Sequence, residues 1–211
     1  MTTDAYPHEA RPAGAGRPLV FLFHGTGGDE TQLLGLADEL VPGAGLVAPR
    51  GDVSEHGAAR FFRRAAEGVY DMDDLARATD KMRRFVCAHV EAAAPSAVLG
   101  LGYSNGANIL ASVVFAEPAL FDAVVLMHPL IPFAPQIAGE LTDRPILMTA
   151  GRRDPICPPE LTARLESHLR AAGAAVTVDW HEGGHEVRPG EIAAARRFLA
   201  PWRETHAEER P

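Results

Sequence analysis

A three-layer α/β/α sandwich around a mostly parallel sheet is the fold class this sequence predicts, and three observations lead to it. Short apolar runs alternate along the chain with longer segments whose apolar residues recur at three-to-four spacing. At 211 residues the chain suits one domain, and surface scaling puts roughly 70% of its unfolded surface inside, enough to hold a site rigid. Strands that alternate with helices pair in parallel through right-handed crossovers, which covers both faces of the sheet.

Taken in order, residues 1–18 are rich in Gly, Pro and Ala without an apolar period. They read as a loose arm with at most one short edge strand around Tyr6. The domain itself is expected over residues 19–203. Its strands are read at Leu19–Phe23, Gly45–Ala48, Ala97–Gly102, Ala123–Met127, Pro145–Thr149 and Val176–Trp180. Its helices are read at Gln32–Leu40, Asp73–Glu91, Asn105–Phe115, Glu160–Ala171 and Gly190–Trp202. Between Pro49 and Gly68 the chain runs without a clear period, and a connection that long is usually functional or disordered. Residues 204–211 read as a charged, solvated tail.

Composition narrows the function. Hydrophobic residues at 46% and charged ones at 23% are those of a globular protein, not of an extended disordered chain. A net charge of −8 offers no grip on a phosphate backbone or an anionic membrane, so nucleic acid is not expected as a partner. No apolar run approaches the roughly 18 residues of a membrane span, so stable membrane insertion is not expected. Two cysteines cannot build a disulfide framework, and no apolar N-terminal run follows a basic start; the expected location is the cytoplasm.

The chemistry concentrates at the carboxyl ends of the strands, where open parallel sheets assemble their sites. Gly102-Tyr103-Ser104-Asn105-Gly106 is a G-x-S-x-G with a strand before it and a helix after it. That is the context of a nucleophile elbow and makes Ser104 the candidate nucleophile; a serine that merely caps the helix is the plainer alternative. A serine hydroxyl needs a base, and the base a carboxylate to orient it. Asp154 follows the strand Pro145–Thr149, and His185 follows the last strand behind Gly183-Gly184, completing the chain order Ser, Asp, His. Asp154 could instead cap a turn before Pro155. His181 is the rival base but abuts the strand directly, whereas the glycine pair lets His185 fold back over the elbow. His24 and His128, each at a strand end, read as hydrogen-bonded structural histidines.

An oxyanion hole needs two backbone N–H donors. Asn105, after the nucleophile, supplies one, and Thr26 in the loop His24-Gly25-Thr26-Gly27-Gly28 supplies the other. Those glycines could equally serve only a tight strand-to-helix turn. Phe61 and Phe62 are candidates to line a substrate pocket, with plain core packing the equal alternative. Arg60, Arg63 and Arg64 could receive an anionic substrate group, although a solvated basic face is the stronger reading. Two further motifs carry little. His181-Glu182-Gly183-Gly184-His185 has H-E-x-x-H spacing, but paired glycines after a strand argue against the helix a zinc site requires, and no metal is expected. Gly100-Leu101-Gly102 approximates a dinucleotide fingerprint, but no acidic residue ends the next strand to hold a ribose.

Together, HGTGGDE, PRGDV with GAARFFRR, GYSNGAN, the DPIC loop and the late GGH resemble the α/β-hydrolase carboxylesterases of the phospholipase/carboxylesterase group, relatives of acyl-protein thioesterases and dienelactone hydrolases. The resemblance runs from about Leu19 to Leu199 and is strongest to small bacterial carboxylesterases associated with methylhydroquinone and quinone stress. It implies an α/β-hydrolase fold, and 211 residues leave little room for a lid domain, so a fairly open site for small or soluble esters is expected. It also implies Ser104, Asp154 and His185 as the triad and Thr26 and Asn105 as oxyanion donors, roles that require no cofactor. Dienelactone hydrolases proper carry cysteine in the elbow, so Ser104 argues against that exact activity. A homodimer is compatible with all of this. An acyl thioesterase or lysophospholipase would use the same triad, while a non-catalytic small-molecule-binding module would lack at least one member, and none is missing.

Overall fold

A computed structural model describes residues 2–203. Seven strands form one sheet: β1 (His8–Arg11), β2 (Leu19–Phe23), β3 (Gly45–Pro49), β8 (Val98–Tyr103), β9 (Ala123–Met127), β10 (Pro145–Gly151) and β11 (Ala175–His181). Their order is β1-β3-β2-β8-β9-β10-β11. Every pairing is parallel except β1 with β3. Five helices flank it: α1 (Leu34–Leu40), α2 (Met72–Ala93), α3 (Asn105–Ala116), α4 (Pro159–Ala171) and α5 (Pro189–Phe198).

Alternation along the strands creates the layers. Phe21, Phe23, Val124, Leu126 and Met148 point to one face and pack with Met82 and Phe85 of α2, Ile109 and Val113 of α3, and Leu165 of α4. Val20, Leu22, Leu99, Leu101, Val125 and Leu147 point to the other and pack with Leu34, Ala37 and Leu40 of α1 and Ala194 and Ala195 of α5. A strand buried on both faces cannot alternate apolar with polar, which is why β2 and β9 read as continuous apolar runs.

Three expectations change. The arm is tied down: β1 pairs antiparallel with β3 over His8–Arg11, and buried Tyr6 meets Phe85 edge-on at 5.4 Å. One large aromatic in the core anchors a segment whose Gly, Pro and Ala suggest freedom. The Pro49–Gly68 connection is not structureless, because β4 (Val53–Glu55) pairs with β5 (Ala58–Arg60), and β6 (Arg64–Ala66) with β7 (Val69–Tyr70). The first hairpin turns at His56-Gly57, both with positive φ as a two-residue primed turn requires. Finally, the last helix ends at Phe198 and a 3₁₀ turn takes Ala200–Trp202, since Pro201 lacks the N–H that would continue it. The charged tail at 204–211 lies outside the described residues.

Candidate active site

The site sits at the carboxyl end of the central strands. Between β8 and α3 the chain turns so sharply that Ser104 adopts φ 54°, ψ −117°, a conformation a non-glycine residue holds only at a cost of about 1–3 kcal/mol. The turn closes only because its flanks are bare: a Cβ on Gly102 would stand 2.6 Å from the Gly106 carbonyl, and one on Gly106 would collide with the carbonyl of Phe23. Main-chain bonds from Ser104 N to Met127 O (2.8 Å) and from Asn108 N to Ser104 O (3.0 Å) hold it.

Ser104 Oγ lies 2.8 Å from His185 Nε2, and His185 Nδ1 lies 2.7 Å from Asp154 Oδ2. With Nδ1–H donated to the carboxylate, Nε2 presents its lone pair to the serine hydroxyl, the tautomer a general base needs. The expected Ser104, His185 and Asp154 are therefore brought together. His181 is not among them: its Nδ1 accepts from Gly183 N at 3.0 Å, and its Nε2 faces Glu191 Oε2 at 3.3 Å.

Three contacts place the His185 loop. Arg153 N donates to Gly183 O at 2.9 Å, the Arg153 guanidinium donates to Glu182 O, and the Tyr103 hydroxyl donates to His185 O at 2.9 Å. The sequence carries no sign of the Tyr103 contact, which spans the elbow and a loop 82 residues away.

Asp154 is buried and fully engaged. Its Oδ1 accepts from Ile156 N (2.8 Å) and Cys157 N (3.0 Å), and its Oδ2 meets His185 and also His128 Nδ1 at 3.0 Å. Burial alone would raise its pKa; the Cys157 N–H and the two imidazoles outweigh that and hold the carboxyl below its usual range. His128, expected as a hydrogen-bonded structural histidine, is bonded as expected, and its partner is the candidate acid itself.

His24 is structural too. Its Nδ1 is 2.7 Å from Gly25 O and its Nε2 accepts from Gly51 N at 2.9 Å, so the ring is neutral and staples two loops together. Burial pushes its pKa down, in keeping with that neutral form.

Thr26, Ser104, Asn105 and His185 line one cavity of about 270 Å³, with Arg60, Arg64, Glu67 and Tyr103 among the other residues of its wall. The main-chain N–H groups of Thr26 and Asn105 meet no acceptor among the described residues. The Asn105 side chain instead accepts from Phe61 N at 2.9 Å, which fastens the excursion after β3 to the elbow.

The pocket assignment of Phe61 and Phe62 does not hold. Both are fully buried; Phe61 packs against Phe23 and His24, and Phe62 against Tyr70. Nor are the three arginines one solvated face. Arg60 is buried, donates to Thr26 Oγ1 at 2.7 Å and lines the cavity; Arg64 also lines it and is held by both oxygens of Glu55 at 3.0 Å; Arg63 alone is largely exposed. Adjacent residues of a short strand point to opposite sides, and the run FF between arginines does not say which side faces in. A larger apolar groove of about 380 Å³ between α2 and α3, lined by Met72, Phe115 and Phe133, contains no nucleophile–base pair.

His128, His181 and Glu191 stand close enough to hold a metal ion, as do His128, Asp154 and His185. The first set does not fit one: His181 Nδ1 is an acceptor, so its Nε2, the atom facing the others, carries the ring proton. In the second, His185 Nδ1 and Asp154 are already joined by a hydrogen bond. The H-E-x-x-H spacing lies on a strand end and a loop, not on a helix.

Comparison with known proteins gives the family. The profile of the dienelactone hydrolase family matches residues 9–186. The chain belongs to that family. Among curated relatives, MhqD of Bacillus subtilis (strain 168), named as a hydrolase, is 36% identical over 187 residues, covering 88% of this chain and 94% of that one. Among solved structures, the protein Atu2452 of unknown function from Agrobacterium tumefaciens is 57% identical with a TM-score of 0.91, over 96% of this chain and 99% of that one. The Bacillus cereus carboxylesterase is 34% identical with a TM-score of 0.88, over 93% and 94%. This member of the dienelactone hydrolase family is thus a hydrolase of the dienelactone hydrolase and carboxylesterase type, with an α/β-hydrolase fold.

Proposed function

We propose that the protein is a serine hydrolase that cleaves carboxylic esters of small or short-to-medium acyl groups through an acyl-enzyme. The hydrogen-bond chain from Ser104 to His185 to Asp154, at the end of a strained elbow, carries this reading. As Ser104 Oγ attacks the ester carbonyl, its proton passes to His185 Nε2, and Asp154 stabilises the imidazolium. The tetrahedral oxyanion takes the N–H groups of Thr26 and Asn105. His185 then protonates the leaving alkoxide, the acyl group stays on Ser104, and a water activated by the same imidazole releases the acid. No step calls on a metal or a cofactor.

A cavity of about 270 Å³ favours small substrates over long lipid chains. No helix among the described residues is long and apolar enough to cross a membrane, and Cys87 and Cys157 are unbridged, which suits a reducing, cytoplasmic setting. The test is hydrolysis of a p-nitrophenyl ester series from acetate to palmitate by wild type and Ser104→Ala. The expected result is turnover that peaks at short to medium chains and falls by a factor on the order of 10⁴ or more in the variant. A variant with wild-type turnover would remove Ser104 from the reaction. A preference for thioesters over matched oxygen esters would reassign the substrate class while keeping the residues.

A further inference from the structure

Asp154 has a second imidazole. His185 approaches its Oδ2 from the cavity side at 2.7 Å, and His128 Nδ1 approaches the same oxygen from the core at 3.0 Å. Behind His128 stands another carboxylate, with His128 Nε2 2.9 Å from Glu191 Oε1 and the angle too oblique for a good hydrogen bond. The side chains of His128, Asp154 and Glu191 are all completely buried. A neutral imidazole has one N–H and one lone pair, so a neutral His128 would aim a lone pair at one of two buried carboxylates. Only the imidazolium offers a proton to both.

Among the described residues no lysine or arginine side chain pairs with Asp154 or Glu191, whose partners are histidines. The titratable groups that face His128 are Asp154 from the loop after β10, Glu191 from α5, and the rings of His181 (5.4 Å), His185 (5.1 Å) and Tyr103 (6.0 Å). Cys157 Sγ donates to the His128 carbonyl at 3.2 Å. Glu191 Oε2 is taken by Arg188 N at 2.6 Å and by His181 at 3.3 Å. His128 has φ 52° just after β9, a value uncommon for non-glycine residues and adopted most readily by asparagine, aspartate and histidine.

We propose that His128, held as a cation between Asp154 and Glu191, is a positioning residue that fixes the Asp154 carboxylate and partly offsets its charge, and that Glu191 acts through it to set the lower pH limit of the hydrolysis. The proposal rests on the reading of Asp154 and His185 given above. Because His128 and the cavity-side imidazole share one carboxylate oxygen, the charge at His128 is felt at the cavity-side ring through Asp154. Burial disfavours protonation of His128, yet the contacts to Glu191 and Asp154 outweigh it and hold its pKa above the usual histidine value.

The test compares kcat/KM against pH for wild type, His128→Asn and Glu191→Gln on p-nitrophenyl butyrate, with a thermal melt of each variant. Asparagine tolerates the left-handed backbone and keeps a donor but no charge, and glutamine keeps the shape and the acceptor for Arg188 N. The expected result is an acidic limb displaced upward by about one pH unit in both variants. The wild-type advantage is then about tenfold larger at pH 5.5 than at pH 8. A residue that only supports packing would scale the profile without moving it, and an unmoved limb in a folded His128→Asn overturns the proposal. If His128→Asn fails to fold, Glu191→Gln decides in the same way. Long-range ¹H–¹⁵N spectra of the histidine rings in Ser104→Ala give a second readout independent of turnover: His128 should be doubly protonated at pH 7, and a neutral ring there overturns the proposal. These spectra also separate the two failures, because loss of the serine-hydrolase reading would leave the ring signals as expected.

Discussion

On its open side Asp154 meets His185, whose side chain is 16% exposed and reaches Ser104. On its closed side it meets His128, whose side chain is fully buried and reaches Glu191. Both contacts join an imidazole Nδ1 to the same carboxylate oxygen, at 2.7 and 3.0 Å, so the pairing itself does not make one histidine a base. What differs is the far nitrogen. His185 Nε2 opens onto a cavity where a proton can arrive and leave with substrate, while His128 Nε2 faces a second buried carboxylate and holds its proton.

The largest effect should come from the residue both sides share. Asp154→Asn removes the orienting charge from His185 and one counter-charge from His128. We expect kcat to fall by a factor on the order of 10⁴ and stability to fall by about 3 kcal/mol, read by ester hydrolysis and chemical denaturation. His185→Ala should cost as much activity, yet less than about 1 kcal/mol of stability because water can solvate what remains. Retained stability together with retained activity would break the comparison on its open side.

On the closed side, Glu191→Leu strands a buried cation and should cost about 3–5 kcal/mol, or roughly 6–20 °C of melting temperature. A melting temperature equal to wild type would show that the Glu191 carboxylate and His128 are not a charged pair.

Smaller is the pH dependence of stability. Burial would raise the pKa of Asp154, but the Cys157 N–H and the flanking imidazoles hold it below 3.8; Glu191 is likewise held below 4.5, chiefly by His128, against its burial. Their contributions are present above those values and are lost as pH falls through the depressed ones. His128 is held above 6.5, so its contribution is complete below that value and is lost as pH rises through the elevated one. Melting temperature should therefore peak between about pH 5 and 6.5. A steady rise from pH 6 to pH 9 would contradict the cation assigned to His128. Smallest of all, His181→Gln should change stability by about 1 kcal/mol, because it touches only the 3.0 Å bond from Gly183 N and a 3.3 Å contact to Glu191 at the edge of the cluster.

Much of the open side was legible in the chain. Ser104 announces itself because a strand, a tight turn and a helix leave a local signature, and Gly102 and Gly106 are glycine for reasons a neighbouring carbonyl enforces. Asp154 and His185 follow from their places after strands, since parallel strands bring all their carboxyl ends to one edge. The closed side was not legible, because nothing near Glu191 in the chain says that α5 lays it against the end of β9, 63 residues earlier in sequence. His128 could be recognised as bonded but not as bonded to Asp154. The excursion after β3 was opaque for another reason: its alanines and arginines have weak strand preference. Only the folded hairpins decide that Phe61 and Phe62 turn into the core while Arg60 lines the cavity. Tyr6 carries a similar lesson, in that one buried ring docks a segment whose composition suggests a loose arm.

The central claim is that Ser104 is the nucleophile activated by His185. It is tested most directly by treating the wild-type protein with a fluorophosphonate at pH 7.5 and locating the adduct by peptide mass spectrometry. The expected result is one phosphonyl group per chain on Ser104, with loss of ester hydrolysis in proportion to labelling. An intact, unlabelled Ser104, or hydrolysis that persists at full labelling, would contradict it.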